Sequence, residues 1–152
     1  MKHLKVGDSA PPFNGKDQNG NSITLDMFKG KKVVIYFYPK DNTSGCTLEA
    51  KDFTQLQQEY LNKGYRIIGV SRDSVKSHKN FIAKQELNLL LLSDENEELV
   101  KAFDVLHEKS MYGKKYMGIV RSTFVLDEQG TIVQEFRNVK AKGHAEELLK
   151  SL

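Results

Sequence analysis

The apolar positions of this chain change their period several times, and each change marks an element. Residues 33–38, VVIYFY, are apolar or aromatic without alternation, which reads as a strand buried on both faces of a sheet. Pro39 ends that run. A polar turn follows, and Thr43 stands as the N-cap of a helix whose inward residues are read as Leu48, Phe53, Leu56 and Tyr60. Gly64 closes this helix, and 65–71, YRIIGVS, is a second apolar strand, so the three form a β-α-β unit with parallel strands and a right-handed crossover.

Further along, Asp73 or Ser74 can cap a helix to about Glu86, with Val75, Phe81 and Ile82 inward. Residues 89–92 are a short inserted strand and 94–103 a third helix. Residues 104–117 mix glycine, lysine and tyrosine without a period and are expected to form a loop. Residues 118–126 and 131–136, joined by Asp127-Glu128-Gln129-Gly130, predict an antiparallel hairpin, and 142–152 a closing helix. Ahead of the first long strand, the Asn19-Gly20 turn lies between short β-prone pieces and predicts a small hairpin, with 25–28 a helical turn ending at Gly30. This order is that of an α/β protein with a thioredoxin fold, carrying an N-terminal hairpin and a mid-chain insertion.

Composition narrows the picture. With 152 residues, 39% of them apolar, the chain can bury one core, so 1–152 is expected to be a single domain. The net charge of +3 comes from 23 basic and 20 acidic residues scattered along the chain, which is a solvated surface and not a nucleic-acid footprint. The first twenty residues lack an apolar core of signal-peptide length, and no stretch has the apolar length to span a bilayer. One cysteine excludes an internal disulfide and agrees with a reducing, cytoplasmic setting.

That cysteine is the candidate for chemistry. Cys46 falls at the third position of the helix capped by Thr43, where backbone N–H groups lack intrahelical partners and the helix dipole is positive. Negative charge on a sulfur is favoured there, so the placement predicts a reactive nucleophile, whereas a lone cysteine elsewhere is usually a small buried hydrophobe. The histidines His3, His78, His107 and His144 share no metal-ligand spacing, and no metal site is expected. No glycine-rich nucleotide motif occurs, and no cofactor is expected.

Pro39, Thr43 and Cys46 spell P-x-x-x-T-x-x-C, and the run YPKDNTSGCTLEA resembles the active-site signature of the peroxiredoxins, in particular the bacterioferritin comigratory protein or peroxiredoxin Q branch. The resemblance continues through KVGDSAPPF, GVSRDSVKSHKNF, LLSDENEELVKAF, YGKKYMGIVRSTFVLDEQGTIV and VKAKGHAEELL, in the same order and over nearly the whole chain. It implies an elaborated thioredoxin fold and a cofactor-free peroxidase that reduces hydrogen peroxide and alkyl hydroperoxides. Cys46 would be the peroxidatic nucleophile and Thr43 would orient sulfur and peroxide. Arg121, in the block GIVRSTF, would be the active-site arginine. A guanidinium there favours the sulfur anion and offers donors to a peroxide oxygen. Pro39 would shield the sulfur from water, Gly45 would supply backbone N–H donors beside Cys46, and Glu49, which reads as a surface residue of a first helical turn, would support the site at most.

Two positions depart from the branch. Lys51 stands where many members carry a resolving cysteine, so the oxidised sulfur must be met by an external thiol: thioredoxin, glutaredoxin or a small thiol. Ser44 stands where proline is common, which loosens the helix start by a few tenths to about 1 kcal/mol. The resemblance further implies a monomer. A disulfide reductase would need C-x-x-C, and Thr43 occupies the place of its first cysteine. The remaining alternative is a non-enzymatic peroxide sensor or partner-binding thioredoxin-fold protein.

Overall fold

The computed structural model describes residues 4–152, and His3 lies outside the described residues. The chain opens with β1 (Asn14–Lys16) and β2 (Ser22–Thr24), an antiparallel hairpin around the Asn19-Gly20 turn, followed by a 3-10 turn at Leu25–Phe28. Then come β3 (Lys32–Phe37), α1 (Ser44–Asn62), β4 (Tyr65–Ser71), α2 (Val75–Gln85) and β5 (Leu90–Ser93). A short α3 (Glu98–Ala102) leads into β6 (Leu106–Met111) and β7 (Lys114–Ile119), and β8 (Ser122–Leu126), β9 (Ile132–Phe136) and α4 (His144–Ser151) complete the chain.

Among the described residues, seven strands form one mixed sheet in the order β2-β1-β5-β4-β3-β8-β9. Strands β3, β4 and β5 are parallel, while β8 and β9 run antiparallel, which is the topology of a thioredoxin fold. The unbroken apolar run of β3 has the expected consequence. Val33, Ile35 and Phe37 enter one core with Phe103, Phe124 and Leu126, while Val34, Tyr36 and Tyr38 enter another under α1, α2 and α4. The N-terminal hairpin is not separate from the sheet, because Lys16 pairs with Ser93 of β5. None of the described helices is long and apolar enough to cross a membrane.

Several elements differ from the sequence reading. Phe53 and Tyr60 of α1 are buried and Leu56 packs against the same core, as expected, but Leu48 is 41% exposed and the buried stripe is completed by Cys46, Glu49 and Ala50. Helix α2 is capped by the Ser74 hydroxyl, which accepts from Ser77 N at 3.1 Å; its buried residues are His78 and Phe81, with Val75 and Ile82 only half-buried. The third helix is shorter than 94–103. Glu97 takes a left-handed φ of 64° and bars earlier helical turns, and the Asp94 carboxylate reaches across that kink to accept from Leu99 N at 3.0 Å and Val100 N at 2.8 Å.

The largest correction lies at 104–117, which is not a loop. Strands β6 and β7 pair antiparallel outside the main sheet, turning at Tyr112 (φ 52°) and Gly113 (φ 79°), where two consecutive left-handed residues match the twist of a tight hairpin. Gly118 and Ile119 belong to this arm, so the strand expected over 118–126 breaks at Val120-Arg121 before β8 begins.

Candidate active site

Helix α1 begins at the carboxyl end of β3, and the connecting turn brings Cys46 into its first turn. Thr43 has the extended backbone of an N-cap (φ −83°, ψ 156°) but makes no side-chain cap; its hydroxyl donates to Lys40 O at 2.8 Å. Pro39 is half-buried at the head of this turn and Ser44 opens the helix exposed to solvent. Cys46 is only 1% exposed, within the apolar cluster of Tyr36, Tyr38, Ala50 and Phe53.

Arg121 faces that sulfur. Because β7 has ended and β8 has not begun, its side chain crosses to α1 and is held at two points. Nη2 donates to Cys46 Sγ at 3.3 Å, and Nη1 donates to Glu49 Oε1 at 2.6 Å. Gly45 makes the approach possible, since a Cβ there would lie 3.3 Å from Arg121 Nη2 and 3.7 Å from Ala141 Cβ. Burial works against the Arg121 cation, but Glu49 and the sulfur more than offset it and hold its pKa above the usual guanidinium value.

Glu49 corrects the surface reading made from its position in the helix. It is fully buried, and Oε2 has no hydrogen-bond partner among the described residues. Burial pushes its pKa up to about 7 although Arg121 opposes the shift. The sequence does carry the signal: Cys46, Glu49, Phe53 and Tyr60 share one helical stripe, so a buried Cys46 carries Glu49 inward with it.

Other polar groups near the turn are given no part in the site by the sequence reading. Asp41 is buried and accepts from Tyr38 Oη at 2.6 Å and Ser77 Oγ at 2.8 Å, while His78 Nδ1 lies 2.8 Å from its Oδ2. The other His78 nitrogen faces Leu92 O at 2.9 Å, and Asp41 N donates to Asp73 Oδ2 at 2.9 Å. Asn42, next in the chain, takes φ 63°, so Asp41 anchors a turn that contains a strained residue. Asp41, Asp73 and His78 do bring ligand-type atoms within 4.8 Å of one another, but Asp41 and both ring nitrogens of His78 are already engaged in these bonds. On the far side, His144 is buried with Nε2 2.8 Å from Thr123 Oγ1, and burial together with Arg121 lowers its pKa to about 4, which keeps the ring neutral. A cavity of about 450 Å³ lies at the opposite end of β3, lined by Leu25, Phe28, Val33 and Leu126, and it holds none of these groups.

A buried cysteine with a guanidinium on its sulfur and a carboxylate behind that guanidinium is a nucleophile beside a fixed donor. The AhpC/TSA family pattern matches residues 6–135. The chain is 47% identical over 152 residues, all of both chains, to a putative peroxiredoxin bcp of Helicobacter pylori. It is 44% identical over 149 residues to peroxiredoxin Bcp of Bacillus subtilis, covering 98% of this chain and 95% of the relative. Among solved structures, a cysteine-to-serine mutant of Xylella fastidiosa PrxQ superposes with a TM-score of 0.94 at 40% identity, covering 99% of this chain and 96% of that one. The Xanthomonas campestris bacterioferritin comigratory protein, whose structures concern alkyl peroxide reduction, superposes with a TM-score of 0.87 at 50% identity, covering 91% and 88%.

Proposed function

The chain belongs to the AhpC/TSA family as a peroxiredoxin of the Bcp/PrxQ type, a thiol-dependent peroxidase, and on that premise we propose that Cys46 is the peroxidatic nucleophile and Arg121 its electrostatic partner. The Cys46 sulfur attacks the terminal oxygen of hydrogen peroxide or an alkyl hydroperoxide. The S–O bond forms as the O–O bond breaks, leaving a Cys46 sulfenic acid and an alkoxide or hydroxide that takes a proton. Arg121 stabilises the charge that moves onto the departing oxygen, and backbone N–H groups at Gly45 and Cys46 aid it. The Thr43 hydroxyl, with its proton committed to Lys40 O, keeps lone pairs that can accept from the peroxide O–H and orient it. Pro39 shields the turn from water. Glu49 fixes the guanidinium plane.

The observation that carries this reading is the double engagement of Arg121, on sulfur at 3.3 Å and on carboxylate at 2.6 Å. Lys51 is exposed on α1 and the chain has no second cysteine, so the sulfenic acid is reduced by an external thiol: thioredoxin, glutaredoxin or a small thiol. The protein acts as a single-domain cytoplasmic monomer in antioxidant defence. Peroxide consumption by the wild type, Cys46→Ser and Arg121→Ala against a panel of thiol reductants tests the assignment. Turnover that disappears in Cys46→Ser supports it, whereas oxidation of Cys46 without turnover under any thiol identifies a peroxide sensor instead.

A further inference from the structure

The β6-β7 arm directs one lysine toward the site. Lys109 pairs with Tyr116 across the ladder, and His107 pairs with Gly118 two residues nearer the base. A Cβ on Gly118 would lie 2.9 Å from Lys109 Cδ, 3.3 Å from its Cε and 3.0 Å from Tyr116 Cε2. The lysine stem therefore crosses the glycine instead of projecting outward, and Nζ donates to Ile119 O at 2.5 Å. Ile119 is two residues before Arg121. Lys114 and Lys115, on the same arm, are exposed, whereas Lys109 is half-buried.

No carboxylate pairs with this ammonium among the described residues. Arg72 beside it is taken by Glu97 at 2.9 Å and by Met117 O at 3.3 Å. The charges that act on Lys109 are Arg121, Arg72 and the Cys46 sulfur; burial and the two guanidiniums lower its pKa, while the sulfur raises it. Only one of the three ammonium donors is engaged by the bond to Ile119 O. A cation folded back among cations, with no acid to compensate it, is suited to an anion that arrives during the reaction.

Hydrogen peroxide and simple alkyl hydroperoxides are neutral, whereas a thiol attacks as its thiolate. We infer that Lys109 is a specificity-determining residue of the reducing half-reaction, receiving a carboxylate that an incoming small thiol carries beside its sulfur. This rests on the reading that Cys46 becomes a sulfenic acid. In the step, the thiolate attacks Cys46 Sγ, the new S–S bond replaces the S–OH bond, and hydroxide leaves and takes a proton to become water. The thiol sulfur is oxidised and the Cys46 sulfur reduced.

The test uses the full chain, oxidised with one equivalent of hydrogen peroxide and mixed with three thiols of similar reach: cysteamine, 2-mercaptoethanol and 3-mercaptopropionate. Rates of sulfenic acid loss are corrected for each thiol's thiolate fraction. The wild type favours mercaptopropionate over cysteamine, and that preference weakens as salt rises. Lys109→Met lowers the ratio of the two rates by about tenfold, Lys109→Glu inverts it, and Lys109→Arg restores it. Gly118→Ala, which changes no charge but occupies the path of the lysine stem, shifts the ratio in the same direction as Lys109→Met. Using a ratio within each variant cancels any change in the sulfur itself. An equal ratio in wild type and Lys109→Met overturns the inference, and so does a charge preference that appears only between carboxylated and neutral hydroperoxides. Failure to trap any sulfenic acid on wild-type Cys46 would instead count against the underlying peroxidase reading.

Discussion

Arg121 spans the 72 sequence positions to Glu49 with a 2.6 Å contact and keeps its other terminal nitrogen 3.3 Å from the Cys46 sulfur. The carboxylate is fully buried, and the guanidinium is the only charged group hydrogen-bonded to it among the described residues. The contact of Arg121 on the Cys46 sulfur is thereby coupled to the protonation of a buried acid.

Stability against pH should reveal that coupling. Glu49 has its pKa raised to about 7 from 4.5, so the folded chain binds more protons than the unfolded chain between those values, and stability falls as pH rises through them. At about 1.4 kcal/mol per pH unit the contribution is roughly 3 kcal/mol in all. His144 runs the other way. Its pKa is lowered to about 4 from 6.5, so its contribution is full above 6.5 and is lost as pH falls toward 4. The two slopes oppose each other between about pH 4.5 and 6.5. Urea unfolding of Glu49→Gln across that window should show stability rising with pH, and His144→Gln should show it falling, each tilted from a flatter wild-type curve.

Gly45 gives a case in which stability and activity part. A methyl group at this position meets Arg121 Nη2 at 3.3 Å, so the guanidinium must retreat from the sulfur by a few tenths of an ångström. Alanine also restricts the unfolded chain and suits a helix better than glycine. Gly45→Ala should therefore leave the melting temperature equal or higher, by up to about 1 kcal/mol of stability, while slowing Cys46 oxidation by about tenfold. Thermal melts and stopped-flow peroxide kinetics on the same preparation read both quantities.

Much of this site is legible in the order of the residues. The unbroken run over 33–38, the glycine at 64 and the serine cap at 74 follow local rules that tertiary packing does not override, while Pro39, Thr43 and Cys46 are marked by their resemblance to a known signature. Arg121 is marked by the block around it. Glu49 reads wrongly because a charge in a first turn is normally solvated, and only a partner 72 positions away makes its burial tolerable. The β6-β7 arm is hidden for a related reason. Its faces carry lysine, glutamate, methionine and tyrosine, most of them exposed, so the period-2 signal of a half-buried strand is absent.

The Asp41 anchor should matter to the turn as well as to the core. His78→Phe would leave the buried Asp41 carboxylate without its ring partner, and losing one hydrogen-bond partner of a buried polar group costs about 1–3 kcal/mol. Asp41→Asn keeps the shape but removes the charge that Tyr38, Ser77 and His78 converge on. Both should lower the urea midpoint. Asp41→Asn should also slow peroxide reduction, because the residues it anchors lead directly into Thr43; an unchanged oxidation rate would confine the pair to a packing role.

Oxidation of Cys46 by peroxide, with Arg121 stabilising the charge that moves, can be trapped on the sulfur itself. The rate of sulfenic acid formation on Cys46 is followed by dimedone adduct mass after mixing with hydrogen peroxide, in wild type and Arg121→Ala. A single adduct on Cys46, forming about 100-fold more slowly in Arg121→Ala, is the predicted result. Equal rates in the two proteins, or no adduct on Cys46 in the wild type, would contradict it.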